Sequence, residues 1–122
     1  MTQLESNKII TDFMQLVPKE YNGIYQFSDG VYFSSSSKDK QKVQNSIYEY
    51  VKYATDWNWL MLVVEKIESL GFDFNILTPT VIGIFSDEGK NLICYDGKEN
   101  KIDAVYNACV EFIKFYNSAK EE

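Results

Sequence analysis

One stretch constrains the fold more than any other: Asp56-Trp57-Asn58-Trp59-Leu60-Met61-Leu62-Val63-Val64-Glu65-Lys66-Ile67-Glu68-Ser69-Leu70-Gly71, which holds both tryptophans of the chain. Apolar residues at 57, 60, 61, 64, 67 and 71 recur at helical spacing, and Trp59, Val63 and Leu70 widen the apolar face beyond an ordinary stripe. A helix this apolar belongs in a core, so Trp57, Trp59, Met61, Val64 and Ile67 are expected as core residues. Thr55 or Asp56 is placed to cap its start, because a short side-chain oxygen accepts a bond from an orphan backbone N–H. Gly71 is placed to end it in the left-handed conformation. The indole rings offer a stacking surface as well, but burial tendencies favour packing by about four to one.

A second helical face runs through Ile102, Val105, Tyr106, Cys109, Phe112, Ile113 and Tyr116, with Asn100 and Asp103 as a capping arrangement and the last six residues expected to fray. Cys109, Phe112 and Ile113 join the expected core. Residues 3 to 17 carry Leu4, Ile9, Ile10, Phe13, Met14, Leu16 and Val17 at helical spacing, with Thr2 or Ser6 as cap and Pro18 as the stop. Val43, Ile47, Tyr50 and Val51 predict a further helix reaching about Tyr53, entered through Lys38-Asp39-Lys40. Between these helices, Phe72 to Leu77, Val81 to Phe85 and Leu92 to Tyr95 predict strands, broken at Thr78-Pro79-Thr80 and at Asp87-Glu88-Gly89-Lys90. Tyr25, Phe27, Val31, Tyr32 and Phe33 flank Ser28-Asp29-Gly30, an Asp-Gly hairpin signal. Ser34 to Ser37 predict a solvated connection. The expected architecture is α+β: a small single-domain helix/sheet sandwich with a mainly antiparallel sheet and packed amphipathic helices.

The 122 residues suit one domain that buries about two thirds of its unfolded surface without a staple. Composition excludes more than it identifies. The chain contains no His, which removes Ser-His and Cys-His catalysis and every histidine-containing metal site. All twelve cations are Lys and the net charge is −6, so phosphate-neutralising nucleic-acid binding is not expected. The absence of Arg also removes the bidentate fork for phosphate and carboxylate. No metal site, cofactor or catalytic residue is expected. Asp29, Asp39, Asp56, Asp87, Glu88 and Asp96 match no defined metal loop, and Asp29, Asp87 and Asp96 lie one or two residues before a Gly, as turn chemistry requires. Cys94 and Cys109 sit in apolar patterns and are both expected to be buried, reduced and unpaired. With no signal-peptide pattern and no long apolar run, a cytoplasmic protein that does not span a membrane is expected.

Two segments, DWNWLMLVVEKIESLG and KIDAVYNACVEFIKFYN, together resemble small proteins of bacteriophages and Bacteroidota, including the group called the phage ABA sandwich domain. The resemblance covers residues 50 to 117, with 1 to 48 as a variable N-terminal part. Relatives in that group tend to carry Pro in place of Leu62 and Trp in place of Phe115. The resemblance implies a helix-sheet-helix core and a phage protein acting in a bacterial host cytoplasm, and it supplies no active site.

With 16% aromatic residues, some rings are expected at the surface. Tyr21, Tyr25, Phe27, Tyr32 and Phe33 cluster around the expected hairpin and are the candidate partner-binding residues, through strand addition or aromatic anchors. The expectation is a non-enzymatic binding protein, a phage accessory protein engaging a host or defence component or associating with itself. A small-molecule binder that sequesters nucleotides is the alternative, and an acidic DNA mimic a weaker one.

Overall fold

A computed structural model describes residues 2–27, 35–78, 80–97 and 100–120. The elements are α1 (Gln3–Phe13), β1 (Lys19–Tyr21), β2 (Ile24–Phe27), β3 (Ser35–Ser37), α2 (Lys40–Tyr50), α3 (Trp57–Ser69), β4 (Asp73–Ile76), β5 (Val81–Phe85), β6 (Asn91–Asp96) and α4 (Lys101–Lys120). The class is α+β as the patterning predicts, with the strands divided between two antiparallel sheets, β1-β2-β3 and β4-β5-β6. The chain forms two compact units, Met1–Val51 and Lys52–Glu122.

In the first unit, Thr2 caps α1 by accepting from the Glu5 N–H (3.1 Å). The helix stops at Phe13, well before Pro18. The Gln15 N–H donates to Asp12 O (3.1 Å) and the Leu16 N–H to Thr11 O (3.2 Å), with Gln15 at φ +58°. This is a Schellman closure with glutamine in the left-handed position that glycine usually fills. The helix therefore ends on its own hydrogen bonds, and Leu16 and Val17 lie outside it. Its buried face is Ser6, Asn7, Ile10 and Thr11, more polar than the expected stripe.

Side chains tie α1 to α2. Asn7 Nδ2 donates to Tyr48 O (3.3 Å), Gln44 Nε2 to Leu16 O (3.2 Å), and the Tyr48 hydroxyl to Asp12 Oδ1 (2.9 Å). Asp39 caps α2 by accepting from the Gln41 and Lys42 N–H groups, and Val43 and Ile47 fill its buried face. Ser35–Ser37 form strand β3 against β2, where a solvated connection was expected. The expected turn at Asp29-Gly30, with Tyr32 and Phe33, lies outside the described residues.

In the second unit, Asp56 caps α3 by accepting from the Asn58 N–H (2.8 Å), and Gly71 closes it at φ +98°. The buried face of α3 is Trp59, Leu60, Val63, Val64 and Ile67. Trp57 and Met61, expected in the core, are exposed. The correction has a simple cause: a helix apolar nearly all round does not specify which side faces inward, and the packing centres the buried face between Leu60 and Val63. Tyr53 meets Trp59 edge-on, with centroids 5.4 Å apart.

The three strands of this unit fall where expected. Thr78 Oγ1 accepts from the Val81 N–H (3.1 Å) at the first turn, and the Ser86 N–H donates to Lys90 O (2.8 Å) at the second, with Gly89 at φ +82°. Asn100 caps α4 by accepting from the Asp103 N–H (2.9 Å). The helix runs to Lys120, and the last two of the six positions expected to fray lie outside the described residues. It buries Val105, Tyr106, Cys109, Phe112 and Ile113, and Phe72 packs edge-on against Phe112 at 4.9 Å. Cys94 is exposed, contrary to expectation. It pairs with Gly83 across the ladder, on the face opposite the one that carries the fully buried Ile82 and Ile84.

Candidate binding surface

The turn of the first unit is Asn22-Gly23, with φ of +53° and +80°. Two consecutive positive φ values define a tight two-residue hairpin whose twist matches that of its strands, and Asn-Gly is the pair best suited to it. It joins β1 and β2 with Lys19 opposite Gln26, Glu20 opposite Tyr25 and Tyr21 opposite Ile24. Opposed residues share a face and successive residues alternate. Lys19, Tyr21, Ile24 and Gln26 therefore occupy one face, and Glu20, Tyr25 and Phe27 the other.

The two faces differ in exposure. Phe27 is buried and Tyr25 half-buried, with Lys40 Nζ 6.0 Å from the Tyr25 ring centroid and α2 packed on β2 and β3. Phe27 is therefore a core residue of this unit and is withdrawn from the candidate contacts. On the other face, Tyr21 is 54% exposed and Ile24 37%. They form a cross-strand aromatic–aliphatic pair at the hairpin tip, held by a turn with little freedom. Every residue of β1 is exposed, and β1 stands at an edge of its sheet. Ile24 was not among the residues expected to bind. Its signal was the Asn-Gly pair immediately before it, which sets the register that places it beside Tyr21.

A concavity of this unit, about 350 Å³ between α1 and α2, is lined by Leu4, Glu5, Lys8, Asn45, Tyr48 and Glu49. Two carboxylates face one ammonium there, and Lys8 Nζ sits 5.9 Å from the Tyr48 ring centroid. Such a lining disfavours phosphate. The Tyr48 phenol is held above its ordinary value, first by burial and then by its hydrogen bond to Asp12 and that carboxylate's charge. Deprotonating it is harder than for a free phenol, which unsuits it as a base or nucleophile at neutral pH.

Three of the carboxylates considered for chemistry serve local structure, while Asp96 lies in β6 and Asp29 lies outside the described residues. Asp39 and Asp56 cap helices, and Asp87 lies in the turn between β5 and β6. Among the described residues no three His, Cys, Asp or Glu side chains gather as a metal site. Burial pushes the Cys109 thiol far above its ordinary range, leaving it inert. Among the described residues no helix is long and apolar enough to cross a membrane. Comparison with protein-family models, with curated proteins and with solved structures finds no match to this chain.

Proposed function

We propose that the protein works by binding another protein and not by catalysis, and that the contact is made by the tip of the β1–β2 hairpin. The observation that carries this reading is the Tyr21–Ile24 pair, an exposed aromatic and aliphatic side chain held together on a rigid turn. Tyrosine in such a position supplies a large amphipathic contact at low entropic cost, and a few anchors of this kind dominate interface energies. The resemblance of residues 50 to 117 to phage proteins supplies the context: an accessory protein engaging a host or defence component in a bacterial cytoplasm.

The test is site-directed photocrosslinking with benzoylphenylalanine in place of Tyr21, in bacterial cytoplasm, followed by titration of the captured partner. Tyr21→Ser and Ile24→Ser should each weaken that partner's binding by more than about 1 kcal/mol, with unchanged far-UV circular dichroism. No discrete adduct at position 21, or equal affinity for both variants, would refute the reading.

A further inference from the structure

Between α3 and β4 the second unit carries a groove of about 230 Å³ whose floor is the buried Val64 and Val105 and whose open walls are Met61 and Ile76, 40% and 46% exposed. Phe74 and Ile76 reach it from the strand, on the sheet face that carries the buried Ile84 and Ile82. The side chains of Asp73 and Asn75 point to the opposite face, because successive residues of a strand alternate. Glu68 is the one charged side chain in the groove's lining.

The groove runs beside an open strand edge, since β4 is bonded only to β5. The Leu77 N–H donates to Val81 O (2.9 Å), so Leu77 is bonded toward β5, and the alternation of an antiparallel ladder turns Asp73 and Asn75 the same way. Phe74 and Ile76 therefore present their N–H and C=O groups to the open edge. Exposed edges are ordinarily blunted by charge, proline, a bulge or brevity. Each of the other edges carries such a device: β1 is three residues with Lys19 and Glu20, β3 is three serines, and the β5–β6 ladder shifts register between Ile84 and Phe85. β4 pairs with β5 without a shift, and its one charge, Asp73, sits at its first position.

The sequence of β4 selects the occupant, because it is self-complementary about Asn75. An antiparallel copy related by a two-fold axis through Asn75 sets Phe74 opposite Ile76, Asn75 opposite Asn75 and Asp73 opposite Leu77 of the other copy. Phe74 and Ile76 are the outward-bonding positions, so in that register every outward backbone group of Asp73–Ile76 finds a partner. The neighbouring two-fold registers, through Phe74 or through Ile76, leave an outward position opposite a residue outside β4. An aromatic ring opposite a β-branched side chain is a favoured cross-strand pair, and here symmetry makes it twice. The two Asn75 amides, each both donor and acceptor, meet on the opposite face. Like charges stay apart, since the two Asp73 residues stand about 14 Å from one another along the ladder, beyond the screening length of about 8 Å at physiological ionic strength. We infer that β4 is a self-association edge: two copies of this chain pair β4 with β4, antiparallel about Asn75, joining their three-stranded sheets into one and setting Phe74 of each copy against Ile76 of the other beside Met61. This surface is separate from the β1–β2 hairpin and stands or falls without it.

Sedimentation velocity of the full chain at tens of micromolar should show a dimer. Asn75→Lys leaves the backbone bonds between β4 and β5 in place but brings like charges together on the axis, and it should weaken the dimer at least about fivefold, as should Asn75→Asp. An equimolar mixture of the two variants should restore the association as a heterodimer, because opposite charges then meet at the same point. In a Cys94→Ala background, Asn75→Cys should form an intermolecular disulfide under mild oxidation, since directly opposed residues lie within bonding reach. Asp73→Cys in the same background should not, with about 14 Å between its copies. If a charged variant fails to fold by far-UV circular dichroism, the two cysteine variants decide the same point. A monomer at every concentration, or charged variants that do not rescue each other, overturns the inference. Equal cross-linking at positions 73 and 75, or none at 75, also overturns it, by moving any dimer contact away from this register.

Discussion

The two tryptophans, two residues apart in one helix, should differ sharply in what they contribute. Trp59 is 3% exposed and Trp57 37%. An indole side chain presents about 250 Å² at most, so the difference of about a third corresponds to about 85 Å², or about 2 kcal/mol of apolar burial. Trp59 also meets Tyr53 edge-on at 5.4 Å, a geometry that adds about 0.5–1.5 kcal/mol beyond area. Trp59→Ala should therefore cost about 3–5 kcal/mol, the usual range for a buried large aromatic, and Trp57→Ala about 2–3 kcal/mol less. Urea titration followed by the fluorescence of the remaining tryptophan isolates the relevant transition, because both indoles lie in the Lys52–Glu122 unit. Equal losses for the two variants, or a larger loss at position 57, would refute the orientation of α3 and the accounting built on it.

Two further outcomes follow from named side chains. Native alkylation with iodoacetamide should add one label, at the exposed Cys94, and a second, at Cys109, only after denaturation; two labels under native conditions in mass spectrometry would contradict the burial of Cys109. Because the Tyr48 phenol is raised in the fold, its contribution to stability is fully present below the ordinary value near 10 and is lost as pH rises through the raised one. Denaturant melts of Tyr48→Phe should accordingly lose less stability than the parent chain as pH rises past about 10, and parallel curves would refute the raised value of the phenol.

What the sequence makes legible depends on how local the determinant is. The caps at Thr2, Asp56 and Asn100 and the closure at Gly71 are short-range chemistry, and each is readable from a few neighbouring residues. The inward face of α4 is readable because polar positions interrupt it at helical spacing. The inward face of α3 is not, because nearly every position from 57 to 64 is apolar and the choice falls to tertiary packing. Cys94 is hidden for a related reason: Leu92-Ile93-Cys94-Tyr95 is a continuous apolar run whose alternation only the sheet reveals. The end of α1 has no sequence signature, since a left-handed glutamine carries none of glycine's cues. Strand β3 runs against propensity, three serines held by pairing with β2. At the candidate surface, Tyr21 was legible as an exposed ring, whereas the distinction between the Tyr21/Ile24 and Tyr25/Phe27 faces required the register set by Asn22-Gly23.

Both sheets are meanders in which every strand pairs with its neighbour in the chain, and this has a kinetic consequence. No strand must wait for a partner made much later, so the loop-closure entropy met before each pairing is small and the search is short. The pairings of β1, β2 and β3 and the α1–α2 hydrogen bonds all lie before Val51. At synthesis rates of about 5–20 residues per second, that unit has every pairing partner it needs several seconds before α4 has been made. Its sheet can be closed while the strands of the second unit are still being translated, and the two sets of edges are then never open in the same nascent chain for long.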